Sequence, residues 1–320
     1  MNRFSGKIAL VTGASKGIGA GIAKRLAAEG ATVVVNYASS RTDAEKVVAE
    51  IERAGGKALA IGGSVTKADE VARLVEETRK AFGRIDVLVN NAGVYAPEPL
   101  EAFSAAAFSR HFDTNVLGLL QVTQAALPLF PKTGGAIVNI GSVVSTMAPP
   151  NAAVYVGSKG AVDAITKSLA KELAPRKIRV NGVNPGLVHT EGLDAAGMKG
   201  GEFEAQMIAI TPLGRAGRPA DIAAAVAFVG SDDASWITGE SIVVAGGAGM
   251  SFEFRVGRPG MTAPLKFLSA LVLVRVQRED QHRPPGHGID LARFEQRRAF
   301  ILWNIRIEHA PPHGLAGRFR

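Results

Sequence analysis

Apolar residues follow two alternating rhythms from the N-terminus to about residue 247. Short runs rich in apolar and β-branched residues occupy 8–11, 32–36, 58–61, 87–90, 136–140, 179–183 and 241–244. Short runs of this kind, without polar alternation, predict strands covered on both faces. Between them lie stretches with helical spacing. In residues 42–54, Ala44, Val47, Val48 and Ile51 share one side. Residues 19–29 and 68–82 read the same way, and residues 108–130 and 154–173 predict two long helices. Strands alternating with helices predict an α/β fold, a parallel sheet with helices on both faces. The chain contains no internal repeat.

The rhythm stops after Gly246-Gly247-Ala248-Gly249. Residues 251–320 hold 4 of the chain's 6 His and 6 of its 14 Phe, with Pro284-Pro285 and Pro311-Pro312 and one helix candidate at 291–298. The sequence therefore divides into a domain over 1–250 and an atypical C-terminal extension over 251–320. The extension reads as an added interaction segment, a structured cap, or non-native sequence from a lost stop or shifted frame.

Charge follows the same division. The net charge is +8, but residues 251–320 carry 12 Lys/Arg against 6 Asp/Glu, which leaves only +2 on residues 1–250. The main domain thus has no basic excess of the kind that holds nucleic acid. With no cysteine, disulfides, thiolate metal sites and a cysteine nucleophile are excluded. The tail's His282, His287, His309 and His313 lack metal-ligand spacing. The best membrane candidate, residues 265–276, is short and carries Lys266 and Arg275. Residues 7–11 run directly into a glycine-rich loop with no secretory pattern, so a cytoplasmic protein is expected, with no nucleic-acid, membrane or metal partner.

Thr12-Gly13-Ala14-Ser15-Lys16-Gly17-Ile18-Gly19 lies between the first strand and the first helix. Glycines there allow a tight turn and close approach of a pyrophosphate, and the helix N-terminus behind them offers free N–H groups and partial positive charge. The second strand ends in Asn36-Tyr37-Ala38-Ser39-Ser40-Arg41, without the acid that bonds a ribose 2′-hydroxyl in NAD-selective Rossmann sites. Ser39, Ser40, Arg41 and Lys16 can instead receive a 2′-phosphate, which favours NADP(H) while leaving NAD(H) open.

Tyr155 and Lys159 are four apart in a predicted helix and share a face. Ser142 follows the strand at 136–140, and Asn90-Asn91-Ala92-Gly93 is another strand-then-loop segment. A free tyrosine, with a pKa of about 10, is a poor proton shuttle near neutrality. A neighbouring lysine cation would lower that value; roughly 3 units correspond to about 4 kcal/mol. Tyr155 then suits general acid–base work on an oxygen that gains charge during hydride transfer, and Ser142 suits a hydrogen bond to that oxygen.

Together these segments resemble a classical short-chain dehydrogenase/reductase over residues 4 to about 249. They carry the Thr-Gly-x3-Gly-Ile-Gly loop at 12–19, Asn-Asn-Ala-Gly at 90–93, a helix Asn at Asn115, Ser142, Tyr155-x3-Lys159, Asn184-Pro185-Gly186 and Thr190. Within that family the chain is most similar to bacterial 3-oxoacyl-carrier-protein reductases and glucose 1-dehydrogenases. The resemblance implies a single Rossmann-type domain with a doubly wound parallel sheet. It implies catalytic residues Asn115, Ser142, Tyr155 and Lys159, with Lys159 also on the nicotinamide ribose and Asn115 anchoring a proton-relaying water. It implies cofactor contacts from Gly13, Ser15, Lys16, Gly17, Ile18, Gly19, Asn36, Tyr37, Ser39, Arg41, Ser64, Val65, Asn91, Ala92, Gly93, Tyr155, Lys159, Pro185, Gly186, Val188 and Thr190. One departure stands out: Ser64 occupies a position where many relatives carry an Asp facing the adenine.

The resemblance also implies a flexible substrate cover over 191–212, with Leu193, Met198, Phe203 and Met207 as apolar contacts, and a homotetramer packed through the two long helices. Faces with Ala161, Ala164 and Leu169 are compatible with that packing or with the chain's own core. His189 is either a substrate contact or a surface loop residue. Reduction of a ketone such as a 3-oxoacyl thioester is the leading expectation. A sugar or alcohol dehydrogenase is an alternative within the family. A non-catalytic nucleotide-binding regulator, the alternative of another class, would commonly lack the Tyr or Lys present here.

Overall fold

The computed structural model describes residues 2–195 and 199–248. The seven apolar runs become strands β1 Ile8–Val11, β2 Thr32–Tyr37, β3 Lys57–Gly62, β4 Val87–Asn90, β5 Gly135–Ile140, β6 Ile178–Pro185 and β7 Ser241–Val244. Every pairing is parallel, in the order β3-β2-β1-β4-β5-β6-β7. The helices are α1 Gly17–Ala28, α2 Arg41–Arg53, α3 Ala68–Phe82, α4 Ala105–Phe112, α5 Gly118–Ala126, α6 Val144–Met147, α7 Ala153–Leu173, α8 Glu191–Ala195, α9 Glu202–Ala209 and α10 Pro219–Gly230.

The inner strands lack polar alternation because both faces are buried, whereas the edge strands β3 and β7 are partly exposed. Ala9, Val11, Val33, Val35, Val87, Val89, Val138 and Ile140 point into one core, shared with Ala44, Val47 and Ile51 of α2 and with apolar residues of α1 and α10. The intervening Leu10, Val34, Leu88 and Ile137 point into the other, shared with α3, α5 and α7 through Leu74, Val122 and Leu173. The sheet is thus the middle of a three-layer sandwich. The chain builds outward from β1 to β3 and then returns to place β4 on β1's other side. The helices that follow β1 and β4 therefore pack on opposite faces of the sheet, and the loops leading to them frame a crevice at its carboxyl edge.

The long helix expected over 108–130 keeps helical backbone from Ala105 to Ala126 but changes its winding on the way. After α4, residues Asp113–Leu117 form a π-turn before α5, and Leu127–Leu129 close as a 3-10 turn. The widened turn carries Asn115, whose side chain is held by groups from two other segments. Such turns add a residue to the helix and redirect a side chain. No helix among the described residues is long and apolar enough to cross a membrane. The extension at 251–320, with its helix candidate, lies outside the described residues, as does Met198 of the expected cover.

Candidate active site

The glycine loop turns at Gly13 and Gly17, whose φ angles of 60° and 58° disfavour any side chain. Gly19 is closed by packing. A methyl there would stand 2.5 Å from both Asn91 Nδ2 and the Gly13 carbonyl oxygen, and 2.9 Å from Ala14 Cα. The loops leaving β1 and β4 are sewn together. Asn91 Nδ2 donates to the carbonyls of Thr12 (2.9 Å) and Gly13 (3.0 Å), and the Asn91 and Ala92 N–H groups both donate to Thr12 Oγ1 at 3.0 Å. At the N-terminus of α1, the Gly17 N–H donates to a Glu191 carboxylate oxygen at 2.9 Å. A carboxylate on that N–H shows that the helix end accepts an anion, as a pyrophosphate would require. Thr190 reaches the same loop, its Cβ 3.3 Å from where a Gly17 methyl would be.

Beside this crevice, β5, α7 and the π-turn bring four side chains together. Ser142, just beyond β5, is buried and faces Tyr155 on α7. Lys159, one turn on, is buried, with Nζ donating to the Ile140 carbonyl at 2.9 Å and lying 5.9 Å from the Tyr155 ring centre. Asn115 accepts from the Val94 N–H (2.8 Å) and donates to the Val94 carbonyl (3.1 Å) and to Ser158 Oγ (3.0 Å). Gly93 lies where Asn115 and Lys159 meet. A methyl there would be 3.2 Å from Asn115 Oδ1 and 3.6 Å from Lys159 Nζ.

The electrostatics differ from the expectation that Lys159 pulls the tyrosine down. Burial pushes the Tyr155 phenol above its ordinary value, and the neighbouring Ser142 hydroxyl opposes this. Burial also lowers Lys159 to about 8, against a weaker upward pull from Asp163. The i,i+4 spacing placed both groups on one face, but the ammonium bonds a strand carbonyl instead of the phenol.

Residues 13–249 match the family profile described as enoyl-(acyl carrier protein) reductase. The chain is 56% identical over 247 residues to an uncharacterized oxidoreductase of Methylorubrum extorquens, spanning 77% of this chain and 99% of that protein. It is 45% identical over 242 residues to the 3-oxoacyl-[acyl-carrier-protein] reductase FabG of Staphylococcus aureus, spanning 75% and 97%. The chain belongs to the short-chain dehydrogenase/reductase family. A Serratia marcescens short-chain dehydrogenase/reductase variant superposes with a TM-score of 0.74 at 39% identity, covering 77% of this chain and 99% of that one. The angucycline C-6 ketoreductase LanV with bound NADP does so with a TM-score of 0.74 at 35% identity, covering 78% and 98%. This short-chain dehydrogenase/reductase is accordingly an NAD(P)-dependent oxidoreductase of small molecules.

Several residues expected to contact the cofactor also make contacts within the chain. Asn36 is buried, accepts from the Gly13 N–H (3.3 Å) and donates to the carbonyls of Ile61 (3.2 Å) and Gly63 (2.9 Å). Its side chain ties the glycine loop to the end of β3. Ser64 Oγ pairs with Thr66 Oγ1 at 2.9 Å. Val65 packs on Gly118, and its carbonyl accepts from Gln121. Tyr37, Ser15 and Ile18 are half-buried, whereas Lys16, Ser39 and Arg41 are exposed, Arg41 pairing with Glu45 at 2.7 Å. On the far wall, the Pro185 carbonyl accepts from the Val143 N–H, Gly186 sits against Ala245, and Val188 is buried. The sequence reading passed over His111, which is buried with its ring 6.1 Å from that of Tyr155. It also passed over Tyr95, whose ring packs edge-on to Tyr155 at 4.8 Å and 70°. His189 pairs with Glu204 of α9, inside the expected cover. Among the described residues no cluster of three or more His, Cys, Asp or Glu could hold a metal.

Proposed function

We propose that this enzyme reduces a ketone to a secondary alcohol with NADPH, with 3-oxoacyl thioesters as its substrate class. The observation that carries the reading is the gathering of Ser142, Tyr155, Lys159 and Asn115 beside the glycine loop at the carboxyl edge of the sheet. When bound, the cofactor supplies the hydride that forms the new C–H bond. This chain's residues manage the oxygen. Tyr155 gives its proton to the oxygen as the C=O bond becomes C–O, and its burial keeps the phenol protonated near neutrality, the form that donates. Ser142 donates a hydrogen bond that orients the substrate oxygen. Lys159, at about 8, remains mostly charged at neutral pH and lies close enough to stabilise the phenolate left behind. Asn115 and Lys159, meeting at Gly93, line the path by which Tyr155 regains a proton.

The preference for NADPH rests on the absence of an acid at the end of β2 and on the exposed Lys16, Ser39 and Arg41. The identity to FabG and the likeness to LanV, whose structure holds NADP, support the substrate class and the cofactor. We read residues 1–250 as the catalytic unit and 251–320 as an appendage, since the family match ends at 249. Exposed Phe108, Leu117 and Leu120 support assembly of several copies through α4, α5 and α7, which light scattering measures.

The test is oxidation of NADPH and of NADH against acetoacetyl thioesters, diketones and sugar-derived ketones, with glucose plus NADP+ in reverse. Thioester turnover favouring NADPH is expected. Turnover of glucose alone would move the enzyme to the sugar dehydrogenases. Tyr155→Phe should keep NADPH binding and lose turnover by orders of magnitude; unchanged turnover would remove Tyr155 from the chemistry.

A further inference from the structure

We infer that His111 is a positioning residue that holds Tyr95 against Tyr155, and that Tyr95 is the wall receiving the group beside the substrate carbonyl. The inference rests on the reading of Tyr155 as proton donor. His111 closes α4 and is 2% exposed. Its Nδ1 lies 2.8 Å from the Ala107 carbonyl oxygen. A carbonyl only accepts, so Nδ1 carries the proton. Nε2 is then the acceptor, and it takes the Ala96 N–H at 3.2 Å. Both ring nitrogens are thereby used by backbone groups, one inside the helix and one in the loop after β4.

That loop carries Tyr95, and the two residues flanking it are both fixed. Val94 is pinned through its N–H and its carbonyl by Asn115, and Ala96 through its N–H by His111. Tyr95 is 42% exposed, so the ring that meets Tyr155 edge-on also presents surface outward. The imidazole itself closes another side of Tyr155, its plane tilted by 59°. Two clamps four residues apart, on either side of the start of the π-turn, thus fix one loop residue between them. Fixing it defines a corner of two aromatic rings beside the proton donor. A flat or apolar substituent next to the carbonyl fits such a corner.

The two ring nitrogens allow the roles to be separated. His111→Asn places an amide where Nδ1 is, reproducing the bond within α4 and losing the one to Ala96. His111→Gln reaches to where Nε2 is and keeps an acceptor for Ala96. His111→Phe keeps the ring and loses both. Hydrogen–deuterium exchange of the peptide covering residues 92–97 reads the clamp without any substrate. Exchange should speed up about tenfold in His111→Phe and His111→Asn and stay near wild type in His111→Gln. Kinetics with acetoacetyl thioester and diketone probes read the consequence. KM should rise about tenfold in Phe and Asn, with kcat changing less, and recover in Gln, while NADPH binding measured by fluorescence stays the same. Exchange and KM that instead track each variant's melting temperature would reduce His111 to a structural residue and overturn the inference. Tyr155→Phe, run alongside, separates the two layers. If it loses turnover while the His111 variants match wild type, only the present inference falls; if it retains turnover, the reading beneath it falls.

Discussion

Gly19→Ala tests whether the crevice between β1 and β4 is built to the width of a backbone. The added methyl would lie 2.5 Å from Asn91 Nδ2 and from the Gly13 carbonyl oxygen, and 2.9 Å from Ala14 Cα. Two of those three neighbours are backbone, so only the Asn91 amide can yield by itself. If it moves, the bonds from Nδ2 to the Thr12 and Gly13 carbonyls are lost. At about 1 kcal/mol each, with about 1 kcal/mol of residual strain, the cost is about 3 kcal/mol. For a domain of this size that corresponds to roughly 6–12 °C in melting temperature. Cofactor affinity should fall too, because the displaced groups frame the glycine loop. The assay is thermal melting with and without NADPH, together with a fluorescence titration of NADPH. Gly160→Ala is the control: a methyl there meets nothing within 4 Å, so stability should hold or rise by about 0.5–1 kcal/mol. A Gly19→Ala protein that melts within 2 °C of wild type, on the order of 1 kcal/mol or less, and binds NADPH equally well would refute the reasoning.

Lys159→Met should abolish turnover and stabilise the fold at pH 7 by about 1–3 kcal/mol, with the difference read by urea melts across pH. Below about 8 the lysine is charged both folded and unfolded, and the wild type bears the full desolvation cost. From about 8 to 10.5 the native state sheds the proton first, so wild-type stability rises with pH and the gap narrows. Glu29, held below the ordinary carboxylate range first by Arg3 and then by Arg25, gives the opposite sign. Glu29→Gln should cost about 2 kcal/mol at pH 7, and the difference should vanish as pH falls below 4.5 through the depressed folded value; a difference independent of pH would argue against the ion pairs. Arg41→Ala should raise KM for NADPH more than for NADH in steady-state assays; an equal effect would clear Arg41 of phosphate recognition.

The seven strands were legible because strands of a sheet covered on both faces are predominantly apolar, and the run 8–11 shows it directly. The glycine loop was legible because its chemistry is local: Gly13 and Gly17 need positive φ, and Gly19 needs to lack a side chain. Tyr155 and Lys159 were legible as a pair because helix geometry fixes which residues share a face. The π-turn between α4 and α5 was not, because residues 108–117 keep helical spacing throughout. What opens the π-turn is Asn115 bonding Val94 and Ser158, contacts made 21 and 43 residues away.

His111 carried no signal either, since its meaning lies in an N–H 15 residues upstream and a ring on another helix. That the Asn36 amide also bonds the glycine loop and the end of β3 was not legible, because Gly13, Ile61 and Gly63 are brought to it only by the sheet. The sequence by itself determined the alternation of elements, the turn that admits a phosphate and the types of residue available for proton transfer. Each follows from local geometry or from a period along the chain. Only the tertiary structure decided which polar side chains serve the site and which brace it, and where Lys159 points its charge. Those outcomes depend on burial and on backbone partners supplied by distant segments, which no spacing along the chain encodes.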